Sequence, residues 1–328
     1  MIPEWLLATG AGDGVPYQTT PEGRWPQLVT PAGRSLSNNI QLSAQVLEEL
    51  RHLLEVPATT VLRFRVAPPG AFQKMTVEVR SPAGVVHSYL KTAFAEAASS
   101  RLENEAEVLT ALCGLGGSVP TVLSQGEWQG RRYLQLSAGP SSPGPRALRS
   151  IHVKFMNRLP TASKPLAETG GYRNLIGGRE LIAAELGSDL GPMAAAWIER
   201  LPGVMGVVSM GWGHGDFTRA NTTVGGGRLF VFDWEAATPE VPVGYDLFHF
   251  TARPGTASAR PLSTLVGNRR LRGVVAGLQG RPPTEAWAVG WLAHLTLDYS
   301  FARSHYRPPS PGPVWRWIIE QWRDLARW

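Results

Sequence analysis

Apolar residues recur along this chain with two periods, and the switches between them mark out its elements. Ile40, Val46, Leu47, Leu50, Leu53 and Leu54 return near helical spacing, and Ser37 or Asn38 stands where an N-cap would be, so a helix is predicted there. The residues before it, 1 to about 35, are rich in Gly, Pro and Thr and predict turns or an irregular strand. From Val61 to Val66, Met75 to Val79 and Val85 to Lys91 apolar positions alternate, with Pro and Gly between the runs. An antiparallel sheet is expected from that pattern. Leu102 to Leu112 predicts a helix, and Gly126 to Ser137 two more strands joined at Gln129-Gly130. The run Ala138-Gly-Pro-Ser-Ser-Pro-Gly-Pro145 then breaks regular structure and marks a boundary. The chain thus divides into an N-terminal appendage (1–58), a small sheet unit with one inserted helix (59–137) and a larger C-terminal unit (138–328).

The chemistry is concentrated in the last of these. His214-Gly-Asp-Phe-Thr-Arg-Ala-Asn221 is followed, after the turn Gly225-Gly226-Gly227, by the short apolar strand Leu229 to Phe232 and then by Asp233-Trp-Glu235. In phosphoryl transfer to a hydroxyl, one Asp accepts the hydroxyl proton, a nearby Asn holds magnesium, and a second Asp holds the metals bridging the phosphates. Asp216, Asn221 and Asp233 stand at the spacing that division of labour needs. A tight loop aims Asp216 and Asn221 together, and a strand delivers Asp233 from its C-terminal end.

These three blocks, with Gly244-Tyr-Asp-Leu-Phe-His-Phe250 after them, resemble the aminoglycoside phosphotransferase and choline kinase superfamily in order and spacing. The resemblance implies an α+β, two-lobed protein-kinase-like fold, with a small antiparallel-sheet N-lobe and a larger, mostly helical C-lobe. It implies ATP and Mg2+ as cofactors, with Asp216 as base and Asn221 and Asp233 on the metal. On the N-lobe it implies that Lys91 grips the phosphates and is held by a helix glutamate. Glu105 is the expected partner because it lies along the apolar stripe of Leu102, Leu109 and Leu112, with Glu103 and Glu107 as alternatives. Leu136 to Ala138 are the expected backbone partners of the base. His214 is expected to orient the catalytic loop, and Asp246 to accept hydrogen bonds from its backbone. Glu235 would act through a metal-bound water or pair with an Arg, and Arg219 could reach a transferring phosphate.

Two features depart from the family pattern. The loop Ala67-Pro-Pro-Gly-Ala-Phe-Gln-Lys74 holds one glycine, so fewer backbone amides can approach phosphates closely. Tyr89, two residues before Lys91 and so on the same strand face, stands where kinases carry a smaller residue under the adenine. It would stack on the base or fill its place. A catalytically silent, kinase-shaped nucleotide- or metabolite-binding protein is therefore the alternative to an ATP-dependent phosphotransferase acting on a small-molecule hydroxyl. A protein kinase is disfavoured, because the chain runs from Asp233-Trp-Glu235 to Gly244 with only a short turn.

Composition narrows the partners. A 43% apolar content across 328 residues supports a substantial core. The single Cys113 excludes an intrachain disulfide and any cysteine-built metal site, which suits a reducing, ATP-containing cytoplasm. No apolar run approaches membrane-spanning length, and no Lys/Arg run suggests a nucleic-acid tail; Arg269-Arg270-Leu-Arg272 fits a solvated helix face. Of the net charge of +6, the excess lies in residues 138–328, with twenty-one Lys/Arg against fourteen Asp/Glu. A polycationic aminoglycoside would favour an acidic surface, so a sugar or other neutral or anionic metabolite is the expected acceptor. The acceptor is expected on helices between Pro261 and Trp328, where His294, Asp298 and Arg303 share one helical face.

Overall fold

A computed structural model describes residues 44–67, 71–305 and 312–327. The expected cap at Ser37 or Asn38, Ile40, the irregular segment 1 to about 35, and Pro68, Pro69 and Gly70 of the glycine-poor loop lie outside the described residues. The chain splits into two compact units, one of residues up to Ala106 with Thr121–Ala138, the other of Glu107–Pro120 with the residues from Gly139 onward.

The first unit is an antiparallel sheet of β1 (Val61–Val66), β2 (Lys74–Arg80), β3 (Val86–Ala93), β4 (Val122–Trp128) and β5 (Arg131–Ser137), in the order β1-β2-β3-β5-β4. Gln129 and Gly130 close the β4-β5 hairpin at φ 53° and 65°, the positive pair that matches the twist of the flanking strands. Alternation sends Met75, Val77, Val79 and Leu90 to one face, where Phe94, Trp128 and Tyr133 join them. That dry face needs a cover, and α1 (Ala44–Leu53) supplies it through Val46 and Leu50, with Leu54 just beyond. The helix assigned above to an appendage is thus part of the sheet's core, a correction whose cause is the apolar face it shields. The opposite face carries Lys91, and α2 (Glu96–Ala111) brings Glu105 to it.

The second unit is mostly helical. A two-residue strand β6 (Ser142–Pro143) is followed by α3 (Ser150–Met156), β7 (Ala162–Pro165), α4 (Gly170–Gly177), the long α5 (Arg179–Met205) and β8 (Val207–Gly213). The hairpin β9 (Thr222–Gly225) and β10 (Arg228–Val231) comes next, then β11 (Thr238–Pro242) and the helices α6 (Tyr245–Ala252), α7 (Leu262–Gly267), α8 (Arg269–Gln279), α9 (Glu285–His305) and α10 (Pro313–Leu325). Two small sheets, β10-β9-β6 and β11-β8-β7, position the loops between them. The helices are pinned by buried polar contacts as well as by apolar packing. Trp322 donates its indole N–H to Thr296 at 2.9 Å, and Gln321 accepts the backbone N–H of Leu262 at 2.7 Å. Ser118 accepts from Arg158 and from the backbone N–H of Val231 at 2.9 Å, which ties the segment after α2 to β10.

Candidate functional site

In the first unit the side chain of Lys91 is buried, and its ammonium lies 2.8 and 2.7 Å from the two carboxylate oxygens of Glu105. Of the three glutamates weighed, Glu105 is fully buried, whereas Glu103 pairs with Arg132 at the surface and Glu107 is exposed. A charged pair this dry holds its geometry, because separating either partner would leave an uncompensated buried charge. Tyr89 lies on the same face of β3, opposite Glu78 on β2 and Leu136 on β5. Glu78 was not foreseen. Its buried carboxylate takes a charged hydrogen bond from Arg80, with Arg65 alongside and Tyr89 opposite it on β3. Burial raises the Tyr89 phenol above its ordinary range, and Glu78 adds to the shift. Burial likewise lowers the guanidinium of Arg65.

The backbone expected to meet the base is largely committed to the sheet. The N–H of Ala138 donates to the His87 carbonyl at 3.0 Å, and Leu136 pairs with Tyr89 on one side and Val122 on the other. The reason is that the β3-β5 ladder runs to the last residue of β5, Ser137, so Leu136 offers its side chain beside Tyr89 and not a backbone donor.

In the second unit the loop between β8 and β9 is built from the inside outward. Phe217 is fully buried against His152, Phe155, His214 and Phe250, which anchors the middle of the loop. Asp246, on the first turn of α6, accepts the backbone N–H of His214 at 2.8 Å and of Gly215 at 3.2 Å. Burial raises this carboxyl above its ordinary range, and the two backbone donors oppose that shift. The Nδ1 of His214 accepts the N–H of Asp216 at 3.2 Å, so its proton sits on Nε2, which donates to the carbonyl of Phe232 at 2.9 Å. The N–H of Phe232 in turn donates to the carbonyl of Asn221 at 3.1 Å. Both backbone groups of the residue before Asp233 are therefore fixed to the loop that carries Asp216 and Asn221. Asp233 itself takes the left-handed conformation, φ 68° and ψ 54°, which Asp tolerates better than most residues.

Asn221 donates its amide to the backbone carbonyl and to Oδ2 of Asp216, both at 2.9 Å. With its Nδ2 so committed, Asn221 keeps its Oδ1 as an acceptor, and an amide oxygen, like the carboxylate of Asp233, is a donor type that a hard divalent cation takes. The side chain of Asp216 is 54% exposed, and His249 reaches its Oδ1 at 3.2 Å. His249 was also not foreseen; the available signal was its place three residues after Asp246, one helical turn along the same face. Arg219 is drawn to the carbonyl of Gly144 at 3.0 Å.

The three residues of the expected acceptor stripe on α9, His294, Asp298 and Arg303, are each half-buried. Arg303 donates to Glu185 of α5 at 2.8 Å and lies over the ring of Trp315 on α10. The ring of His294 packs on Tyr245, and burial lowers its pKa to about 4. Asp298 is half-buried on the same helix. Most of α9 between Ala286 and Thr296 is buried.

Against known proteins, the model of the phosphotransferase enzyme family matches residues 67–287, more than half of the chain. The chain belongs to that family. A search of curated protein sequences returns no match. Among solved structures, this phosphotransferase is similar to an ADP-bound aminoglycoside phosphotransferase, APH(2'')-Ib, at 13% identity and a TM-score of 0.54, covering 87% of this chain and 97% of that one. It is similar to a choline kinase from Cryptosporidium parvum at 9% identity and a TM-score of 0.54, covering 87% and 95%. It is also similar to an ethanolamine kinase from Plasmodium vivax at 8% identity and a TM-score of 0.55, covering 87% and 89%. At such identities the likeness establishes the kinase-like α+β fold, and the family match makes the chain a small-molecule phosphotransferase. Among the described residues no helix is long and apolar enough to cross a membrane.

Proposed function

We propose that this phosphotransferase moves the terminal phosphoryl group of ATP onto a hydroxyl of a small neutral or anionic metabolite. The observation that carries the reading is the half-exposed carboxylate of Asp216, held at Oδ2 by Asn221 on a loop locked to the residue before Asp233. Asp216 accepts the proton of the attacking hydroxyl, and Asn221 Oδ1 with the Asp233 carboxylate holds Mg2+. The bound ion would neutralise the charge that develops on the phosphates. Lys91, kept in place by Glu105, grips the phosphates, and Tyr89 with Leu136 forms the seat of the base. Structural neighbours that hold ADP or ATP support a nucleotide donor. Their acceptors, by name, range from aminoglycosides to choline and ethanolamine, so the acceptor class rests on the basic excess of residues 138–328. The cytoplasm is the compartment that supplies ATP and keeps Cys113 reduced.

The test is a panel of sugars and other hydroxyl-bearing metabolites, scored for ATP-dependent phosphorylation by the native chain and by Asp216→Ala. Turnover on a neutral or anionic member, lost in the variant, is the expected result. Turnover confined to aminoglycosides would overturn the acceptor class, and Mg-ATP binding without turnover on any member would favour the silent binding protein.

A further inference from the structure

We propose that His249 is a positioning residue for the phosphotransfer base, holding the second oxygen of the Asp216 carboxylate; the inference rests on Asp216 being that base. The side chain of His249 is 8% exposed and meets the ring of Trp291 edge-on, with centroids 6.0 Å apart and planes at 89°. Its Nε2 lies 3.2 Å from Oδ1 of Asp216. Its Nδ1 is buried with no hydrogen-bond partner. That asymmetry assigns the proton. An N–H at Nδ1 would be an orphaned buried donor, whereas a bare lone pair there is the milder loss, so the ring is neutral with its hydrogen on Nε2. His249 therefore donates to Asp216, and the Asp216 carboxylate takes one donor on each oxygen, His249 on Oδ1 and Asn221 on Oδ2.

The helix makes this more than an isolated contact. Asp246 and His249 stand one turn apart on α6, and between them they hold three consecutive residues of the loop: His214 and Gly215 through their N–H groups, Asp216 through its carboxylate. The carboxylate plane is thereby fixed from a rigid element, and its remaining lone pairs are left for the acceptor hydroxyl. A base so clamped is held within hydrogen-bond reach of the proton it must take, and misplacement by about 1 Å can cost on the order of a hundredfold in rate.

Two measurements test this on the full chain. The first is 15N NMR of histidine-labelled protein with and without Asp216→Ala. The expected spectrum gives His249 as a neutral ring protonated at Nε2, with that nitrogen moving when Asp216 is removed. A ring protonated at Nδ1, or an Nε2 resonance indifferent to Asp216, overturns the proposal with no acceptor needed. The second is ATP turnover, with water as the acceptor, by His249→Leu, His249→Gln and Asp216→Ala. We expect His249→Leu to lower kcat about tenfold to a hundredfold with the KM for ATP nearly unchanged. His249→Gln, whose side-chain N–H reaches the same position, is expected to recover most of it. Wild-type kcat in His249→Leu, or equal loss in both variants with an equal fall in Tm, refutes the positioning role. Full turnover in Asp216→Ala would instead sink the reading of Asp216 itself.

Discussion

Gly215 sits at φ +82°, and a Cβ on it would lie 2.4 Å from the carbonyl oxygen of Ala236. The residue between His214 and Asp216 is thus dictated by backbone geometry as well as by chemistry. Gly215→Ala is expected to cost about 1 to 3 kcal/mol in strain and to displace Asp216, seen as lower Tm together with lost turnover. Asp233 offers a cleaner separation of charge from backbone, because Asn also accepts its left-handed conformation. Asp233→Asn is expected to keep Tm within a degree or two of native, on the order of a surface substitution, while Mg-dependent ATP affinity falls at least about tenfold. Calorimetry with and without Mg2+ checks it, and unchanged affinity would remove Asp233 from the metal site. Both residues belong to blocks recognisable along the chain. Glu78 does not, and His249, although it lies within the block Gly244–Phe250, meets a partner on another segment that the block by itself does not announce.

The sheet shows how alternation assigns faces but not their neighbours. Met75, Val77 and Val79 announce a dry side of β2, yet only packing shows that α1 covers it. Leu50 is fully buried there, and Leu50→Ala is expected to cost about 2 to 5 kcal/mol by denaturant unfolding. A loss below about 0.5 kcal/mol, the size of a surface change, would return α1 to the status of an appendage. On the other side, Tyr89 stands opposite Glu78 and two residues before Lys91 on β3. Tyr89→Ala is expected to weaken ATP binding by roughly 0.5 to 1.5 kcal/mol, the worth of an aromatic pair beyond its burial. Tighter binding would mean that the ring fills the seat of the base, and unchanged binding would remove Tyr89 from the site. Helical phase is the harder matter: the polar residues of α9 recur at the right spacing for a surface stripe, and in the fold His294, Asp298 and Arg303 are each half-buried on a helix whose first half is core. The long α5, with Pro192 and Pro202 inside it and a break at Gly187, has no comparable signature in periodicity.

Acid sensitivity should reflect histidines held neutral by burial. His152, between Phe217 and Phe250, is lowered to about 4, and so is His294. Burial is the main cause in each, and the Nε2 of His152 has no partner to welcome a charge. Below the ordinary value of 6.5 the unfolded chain takes up these protons, while the folded protein does not until about 4. Stability is therefore expected to fall as the pH drops from about 6.5 to about 4, by up to about 1.4 kcal/mol per pH unit for each histidine. Tm measured across that range should show it, and His152→Gln should flatten the slope; a slope unchanged in the variant would acquit His152. The α+β fold and the loop and strand that carry Asp216, Asn221 and Asp233, the residues proposed for the transfer, were legible in the chain because each is encoded over short distances: alternation within a strand, a tight loop followed by a short apolar strand. The partner of Lys91 was readable from the apolar stripe of α2, but the cover over the sheet, the contacts of the α9 residues and the second donor to Asp216 required the folded protein. Each depends on which remote segments close over a surface, and burial, not spacing, decides whether a polar group there is bound, neutral or exposed.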